Sequence, residues 1–138
     1  MYDPVLVEPM RRELTDLGVE ELKTADEVDA LLQEHEGTAL VVVNSVCGCA
    51  AANARPGVAM ALQNKKKPDR ITTVFAGMDL EATSKARDYF KGYFPSSPQI
   101  ALMKDGQVAF MLERHDIEGR TALDVAQRLM MAFNEHCG

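Results

Sequence analysis

The sequence predicts a mixed α/β domain, in which a central sheet of about four strands has helices on both faces. Two observations lead to this class. Short runs of β-branched residues alternate with segments of helical period, and two strands separated by a helix form a parallel pair with a right-handed crossover. Asp105-Gly106 between two apolar runs is typical of a hairpin turn, which adds antiparallel strands. Since the 138 residues contain no linker or internal repeat, we interpret residues 1–138 as one domain.

Two helices are predicted ahead of the first strand. The first has apolar side chains at helical spacing and stops at Gly18. These side chains are Val5, Leu6, Met10, Leu14 and Leu17. The second helix begins at Thr24, because Thr24 and Glu27 match a capping box, and it ends at Gly37.

Strands and further helices alternate along the rest of the chain. The first strand is rich in valine, as expected of a strand that is buried on both faces. The alanine-rich helix after it is interrupted at Pro56-Gly57, and residues 79–94 form a helix with acidic residues in its first turn. The predicted strands are residues 38–45, 71–76, 99–103 and 107–113. The last helix is predicted to bury Leu123, Ala126, Leu129, Met130 and Phe133.

Composition and charge exclude several classes of function. The net charge of −6 and a single basic run, Lys65-Lys66-Lys67, do not provide the positive surface that nucleic-acid binding needs. No stretch is apolar enough to span a membrane, and the N-terminal residues lack the pattern of a signal peptide. We therefore expect a cytoplasmic protein with no nucleic-acid or membrane partner. In that compartment, a close pair among the three cysteines is catalytic, redox-sensing or metal-binding rather than part of a disulfide framework.

The sequence Cys47-Gly48-Cys49 lies where the first predicted strand gives way to a helix. Unpaired backbone N–H groups and the positive end of the helix dipole stabilise an anion at such a position. We therefore expect the pKa of Cys47 to lie below about 8.5, the value of a free thiol. Because the thiolate is the nucleophile in disulfide exchange, this position favours reactivity.

The spacing of the two cysteines has a further consequence. A disulfide between Cys47 and Cys49 closes a very small ring that departs from preferred geometry. Gly48 makes the ring feasible, since glycine adopts backbone angles that other residues resist. A strained disulfide is easily reduced, so we expect an oxidising or isomerising centre rather than a strong reductant.

A second segment, PSSPQIALMKDGQVAF, places Pro98 directly before a predicted strand. In this segment the sequence resembles the thioredoxin superfamily, in which a cis proline precedes the hairpin strand and its loop lies against the active-site cysteines. The resemblance implies a thioredoxin-like fold with additional N-terminal helices. It also implies that Ser97-Pro98 is the cis pair and that its backbone offers hydrogen bonds to a bound disulfide substrate.

The segment NSVCGCAAANARPG is similar to the signature of the bacilliredoxin family, and the similarity extends to MYDP and FNEHC at the two ends. Bacilliredoxins have Cys-Gly-Cys in place of the thioredoxin Cys-x-x-Cys. The resemblance implies removal of bacillithiol, a low-molecular-weight thiol, from mixed disulfides on cytosolic proteins, with weak thiol–disulfide isomerase activity. It implies that Cys47 is the attacking thiol, Cys49 the resolving thiol and Gly48 their spacer. The implied partners are S-thiolated proteins, bacillithiol as co-substrate and a recycling reductase, with no metal or organic cofactor.

Neighbouring residues have less specific predicted roles. Asn44 and Ser45 are expected to hydrogen-bond the cysteine loop, although polar residues at a strand end are also common turn formers. Asn53 and Arg55 belong to the bacilliredoxin-like motif, and Arg55 is expected either to attract the carboxylates of bacillithiol or to be a surface arginine. Cys137 is expected to be exposed near the end of the chain, where it resolves a mixed disulfide, links two chains or has no role.

Two other functions remain open from the sequence. Cys47 and Cys49, with Cys137 or a histidine, would supply ligands for a metal ion or an iron–sulfur cluster. The Cys-x-Cys spacing is tighter than that of structural zinc sites, and A-type iron–sulfur carriers have their third cysteine upstream of the pair. A redox sensor would change its oxidation state without turning over a substrate.

Overall fold

The computed structural model describes residues 1–33 and 36–138. His35, one of the histidines considered as a metal ligand, lies outside the described residues. No helix within these residues has the length and apolar character needed to cross a membrane. The helices are α1 (Pro4–Thr15), α2 (Ala25–Leu32), α3 (Arg55–Ala61), α4 (Leu80–Asp88), α5 (Arg114–Ile117) and α6 (Ala122–His136). The strands are β1 (Glu20–Glu21), β2 (Thr38–Asn44), β3 (Arg70–Phe75), β4 (Gln99–Lys104) and β5 (Gln107–Leu112).

The strands of the described residues form one five-stranded mixed sheet in the order β1-β3-β2-β4-β5. Strand β2 pairs in parallel with β3 and antiparallel with β4, and β4 forms a hairpin with β5. The predicted crossover pair and hairpin are confirmed, and the turn residues Asp105 and Gly106 both have positive φ. The edge strand β1, parallel to β3, is absent from the prediction because its two glutamates have little strand propensity.

Strand β2 forms the centre of the core, and all seven of its residues are buried. Its side chains alternate between two hydrophobic clusters. Leu40 and Val42 pack with α3 and α6 on one face, whereas Val41 and Val43 pack with α2 and α4 on the other. The predicted burial on both faces is confirmed, and this central strand ends where the cysteines begin.

Helix α1 buries only part of the face that the sequence predicts, with Leu14 as its fully buried member. Val5 and Leu6 are exposed, while Val7, Arg11 and Leu14 point into the protein. Arg11 donates hydrogen bonds to two carboxylates from other elements. Apolar periodicity does not indicate Val7 and Arg11, because a charged residue lies in the middle of the buried face.

Other differences lie at the ends of helices. Leu17 and Leu123 are half exposed, because Leu17 follows the end of α1 and Leu123 lies in the first turn of α6. Helix α4 ends at Asp88, and the chain after it turns at Gly92, which has a φ of 88°. The short helix α5 lies after the hairpin and has no apolar period that would predict it.

The helix after the cysteines begins with a π-helical segment, Ala50–Ala54, that continues into α3. Pro56 lies in the first turn of α3, where a missing N–H is tolerated. The predicted interruption is therefore a change in the helical hydrogen-bond pattern. Gly57 has no room for a side chain, because an added Cβ would lie 2.6 Å from Cγ1 of Val125 in α6.

Candidate active site

The Cys-Gly-Cys sequence lies at the carboxyl end of β2, directly before the π-helical segment. The backbone carbonyl of Cys47 accepts hydrogen bonds from the N–H groups of Ala50 and Ala51, at 3.0 and 3.2 Å. Gly48 is exposed, and no atom lies within 4 Å of the position that an added Cβ would occupy. The cysteines therefore lie at a strand-to-helix junction, as the sequence predicts.

The two active-site sulfur atoms are adjacent but differ in their surroundings. Sγ of Cys47 lies 2.7 Å from Sγ of Cys49, and both residues are partly buried. Cys47 lines a cavity of about 450 Å³, whereas Cys49 is not among the residues that line it. Cys47 thus faces the cavity, and the Cys49 sulfur lies within hydrogen-bonding distance of it.

The pKa values of the two thiols are shifted in opposite directions. The pKa of Cys47 is lowered, chiefly because the Cys49 thiol donates a hydrogen bond to its sulfur. The backbone N–H groups of Cys49 and Ala50 and the positive charge of Arg114 contribute in the same direction. Burial, together with the hydrogen bond and the negative charge of Cys47, raises the pKa of Cys49 to about 11. When the pair loses one proton, the negative charge therefore resides on Cys47.

Three buried polar side chains, those of Asn44, Ser45 and Arg55, form the floor of the cysteine loop. Oδ1 of Asn44 accepts hydrogen bonds from the backbone N–H of Ser45 and from Nη1 of Arg55, both at 2.9 Å. The same Arg55 atom donates to the carbonyl of Ser45 at 2.9 Å. Oγ of Ser45 accepts a hydrogen bond from the N–H of Cys47 at 3.2 Å. These contacts fix the backbone path into Cys47.

Arg55 does not line the cavity, and both interpretations drawn from the sequence are wrong for it. Its side chain is 2% exposed, and its Nε lies 3.1 Å from Oε1 of Glu13 in α1. Since its side chain is buried and paired with Glu13, it is neither a surface arginine nor available to a substrate carboxylate. Asn53, the other residue predicted to bind substrate, donates from Nδ2 to the carbonyl of Ile117 at 2.9 Å and so holds α5.

The Ser97-Pro98 loop and α5 form one wall of the cavity. The Ser97-Pro98 bond is cis, as the resemblance implies. Ser97 and Cys47 line the same cavity, so the loop lies next to the active-site thiol. Nη1 of Arg114 donates to the carbonyl of Ser97, and the backbone N–H of Arg114 donates to Oγ of Ser96, both at 3.3 Å.

Tyr2, Arg87 and Arg114 also line the cavity, although the sequence predicted no site role for any of them. Tyr2 comes from the N-terminal end of the chain, Arg87 from the last turn of α4 and Arg114 from the start of α5. Tertiary folding brings each of them to Cys47 from a distant part of the chain. Apart from their residue types, they carry no signal that a motif search would find.

Cys137 is buried, so the expectation of an exposed thiol is wrong. It is 5% exposed, burial raises its pKa, and it hydrogen-bonds Thr38 at the start of β2. Cys47 follows the other end of this seven-residue strand, so the two cysteines are separated by roughly 20 Å. Cys137 therefore cannot resolve a mixed disulfide on Cys47 or complete a metal site with it. Within residues 1–33 and 36–138, no three His, Cys, Asp or Glu side chains form a cluster that could hold a metal ion.

The structure is similar to that of the reduced thioredoxin preprotein of Schistosoma mansoni. The TM-score is 0.55 at 17% sequence identity, over 83% of this chain and 97% of the thioredoxin chain. This similarity confirms the predicted thioredoxin-like fold. Together with relatives named bacilliredoxins, this fold and the paired thiols at the start of a helix support a thiol–disulfide oxidoreductase.

Similar sequences define the family. Residues 2–137 match the profile of a family described as Disulphide isomerase. A bacilliredoxin of Koribacter versatilis is 52% identical, over all of this chain and 95% of the relative. A bacilliredoxin of Staphylococcus haemolyticus is 54% identical, over 99% of this chain and 94% of the relative. The chain belongs to the bacilliredoxin family.

Proposed function

We propose that this protein removes a low-molecular-weight thiol from mixed disulfides on cytosolic proteins, and that the thiol is bacillithiol in a host that makes it. The difference between the two active-site thiols is the observation that carries the proposal. Cys47 has the lowered pKa and lines the cavity, while Cys49 has the raised pKa, does not line the cavity and has its sulfur 2.7 Å from that of Cys47. This is the asymmetry that an attacking thiol and a resolving thiol need.

In the first step, the Cys47 thiolate attacks the small-thiol sulfur of the mixed disulfide. A bond forms between Cys47 and the small thiol, the original S–S bond breaks, and the target protein leaves as a thiolate that takes up a proton. The cis loop at Ser97 lies beside the reacting sulfur and supports a substrate chain there. The number of disulfides does not change, so this step needs no external oxidant or reductant.

In the second step, Cys49 attacks the Cys47 sulfur and releases the small thiol. Two of the four causes that raise the pKa of Cys49 come from Cys47, through its hydrogen bond and its negative charge. Both causes disappear once Cys47 is in a mixed disulfide, so the pKa of Cys49 falls when its thiolate is needed. The products are the free small thiol and a Cys47–Cys49 disulfide. A second small-thiol molecule offers an alternative to Cys49 in this step.

Turnover then requires two electrons from a reductase that returns the Cys47–Cys49 disulfide to the dithiol. The proposed setting is the cytoplasm, where S-thiolated proteins and the small thiol are present. The same chemistry supports weak disulfide isomerase activity, because a Cys47 thiolate that attacks a protein disulfide lets another protein thiol displace it. The description of the matching family as Disulphide isomerase agrees with this second activity.

The test uses a protein with a single cysteine that is modified with bacillithiol, and it compares the wild type with Cys47→Ser, Cys49→Ser and Cys137→Ser. We expect Cys47→Ser to release no protein thiol. Cys49→Ser should release the protein once and retain bacillithiol on Cys47, which intact-mass spectrometry detects. Cys137→Ser should match the wild type, since Cys137 lies far from the cavity. Equal release by wild type, Cys47→Ser and Cys49→Ser would disprove these roles.

The identity of the small thiol is tested with the same target protein. Adducts with bacillithiol, glutathione and coenzyme A are compared by the second-order rate constant for release. The proposal predicts that the bacillithiol adduct is released fastest. A redox sensor would instead become oxidised once without repeated release in the presence of a reductant.

A further inference from the structure

We propose that Arg87 forms a carboxylate-binding subsite beside Cys47, and that this subsite holds an acidic group of the small thiol during its transfer to Cys47. The inference rests on the proposed function, which puts a small thiol in this cavity. It identifies the residue that binds a carboxylate of that thiol. It also assigns to Arg87 the role that the sequence suggested for Arg55.

Arg87 lines the same cavity as the reacting sulfur. Arg87 lies in the last turn of α4, and its side chain lines the 450 Å³ cavity together with Cys47, Ser97 and Arg114. Its Nη2 donates a hydrogen bond to the carbonyl of Ser96 at 2.9 Å, which fixes the guanidinium against the loop before the cis proline. A group attached to the Cys47 sulfur that extends into this cavity would therefore meet a positioned cation.

The charge of Arg87 is not neutralised by the protein. Among residues 1–33 and 36–138, no carboxylate forms an ion pair with it, and its buried Nε has no hydrogen-bond partner. The other arginines near the site differ, since Arg11 pairs with Asp79, Arg55 with Glu13 and Arg114 with Glu118. Burial lowers the pKa of Arg87, which is the expected effect on a cation without a counter-charge. A carboxylate bound in the cavity would supply the missing counter-charge.

A second, adjoining cavity extends the subsite beyond Arg87. It has a volume of about 410 Å³ and shares Gly77 and Arg87 with the Cys47 cavity. It gives a ligand that extends from Cys47 past Arg87 room beyond the guanidinium. A carboxylate on such a ligand accepts hydrogen bonds from the guanidinium.

The carboxylate has two sources in an exchange reaction, namely the small thiol and the target protein. The test separates them by using one target peptide, without acidic residues, in every arm. This peptide is prepared as a mixed disulfide with mercaptopropionate or with mercaptopropionamide. The two adducts have nearly the same shape, but only the first carries a carboxylate.

The main variant is Arg87→Gln. We expect it to lower the second-order rate constant for the mercaptopropionate adduct by about tenfold, which corresponds to the loss of one charge-assisted hydrogen bond. The rate constant for the mercaptopropionamide adduct should stay within about twofold of the wild type. Equal slowing of both adducts, or of neither, would overturn the inference.

Three further variants show what the effect depends on. Arg87→Lys should recover part of the preference for the carboxylate adduct, because it keeps the positive charge. Arg70→Gln removes a positive charge from an exposed pair with Glu20 and should leave the preference intact. Arg114→Gln should slow both adducts, because Arg114 also lowers the pKa of Cys47. If Arg87→Gln fails to fold, the wild-type protein alone provides the test. Equal rate constants for the mercaptopropionate and mercaptopropionamide adducts at low salt would then reject the subsite.

A separate measurement, the rate of alkylation at Cys47, does not depend on turnover. Iodoacetate and iodoacetamide both alkylate Cys47, and only the first carries a carboxylate. Arg87→Gln should lower the ratio of the iodoacetate rate constant to the iodoacetamide rate constant at Cys47, while Arg70→Gln should not. If wild-type protein fails to release any target protein but this ratio still depends on Arg87, the proposed function is wrong and the subsite stands. If release occurs and the ratio is independent of Arg87, the subsite is wrong and the proposed function stands.

Discussion

Nη1 of Arg55 lies 2.9 Å from Oδ1 of Asn44, on the buried side of the loop that leads to Cys47. Asn44 ends the central strand and Arg55 begins α3, so one charge-assisted hydrogen bond joins the chain before the cysteines to the chain after them. Nδ2 of Asn44 also donates to the carbonyl of Met10 in α1, at 3.1 Å. The position of the thiol pair is therefore set by contacts underneath it.

Loss of this contact should destabilise the protein. Arg55→Met keeps much of the apolar volume but leaves Asn44 Oδ1 and the Ser45 carbonyl without their charged donor. Because a hydrogen bond to a charged group contributes about 1.5–3 kcal/mol, we expect the free energy of unfolding to fall by roughly 3 kcal/mol. Denaturant unfolding measures the change, and Arg70→Met at an exposed ion pair is the control with little expected effect. Similar stability of both variants would show that the buried arginine does not hold the loop.

Cys49 should lower the pKa of Cys47 more than Arg114 does. The hydrogen bond from the Cys49 thiol is the largest cause of its lowering, whereas Arg114 acts through its charge from an exposed position. Cys49→Ala should therefore raise the pKa of Cys47 more than Arg114→Gln does. The pH dependence of Cys47 alkylation gives both values, with Arg70→Gln as the control. The opposite order would mean that charge, rather than the neighbouring thiol, controls the nucleophile.

Cys137 should be unreactive in the folded protein. Because its thiol is buried and its pKa is raised, a thiol reagent should modify Cys47 rapidly and Cys137 only after unfolding. Mass spectrometry of the modified peptides distinguishes the two positions. Rapid labelling of Cys137 under native conditions, or a covalent dimer that forms through it, is incompatible with the observed burial.

Two glycines near the site should respond differently to alanine. Gly57→Ala places a methyl group against Val125, so we expect the free energy of unfolding to fall by about 1–3 kcal/mol. Gly48→Ala meets open space, and the reduced protein should keep nearly its full stability. Gly48→Ala should instead slow closure of the Cys47–Cys49 disulfide ring. Counting free thiols during oxidation measures the rate of closure. Comparable destabilisation of the reduced protein by both changes would refute this distinction.

The parts of the fold that the sequence predicts are those with local signals. The Asp105-Gly106 turn marks the hairpin, and the valine run marks the central strand. The capping box of Thr24 and Glu27 marks the start of α2 and is present in the structure. The Cys-Gly-Cys sequence between a strand and a helix likewise indicates a reactive pair, because the chemistry of the thiols depends on their immediate neighbours.

The parts that the sequence does not predict depend on tertiary contacts. Arg55 and Cys137 were expected near the surface, and both are buried because partners from other elements surround them. Arg87 and Arg114 reach the cavity from α4 and α5, far along the chain from Cys47. Residue type and spacing cannot show which of several arginines is paired inside the protein and which faces a ligand.

The central claim is that the Cys47 sulfur is the anion of the thiol pair. It is tested most directly by alkylating reduced wild-type protein with iodoacetamide over a range of pH and following the Cys47 peptide by mass spectrometry, since only the thiolate reacts. We predict that the rate at Cys47 rises with pH through a midpoint below about 8.5, the value of a free thiol, and that Cys49 reacts only after Cys47. A midpoint at or above the free-thiol value, or faster alkylation of Cys49, would contradict the assignment of Cys47 as the nucleophile.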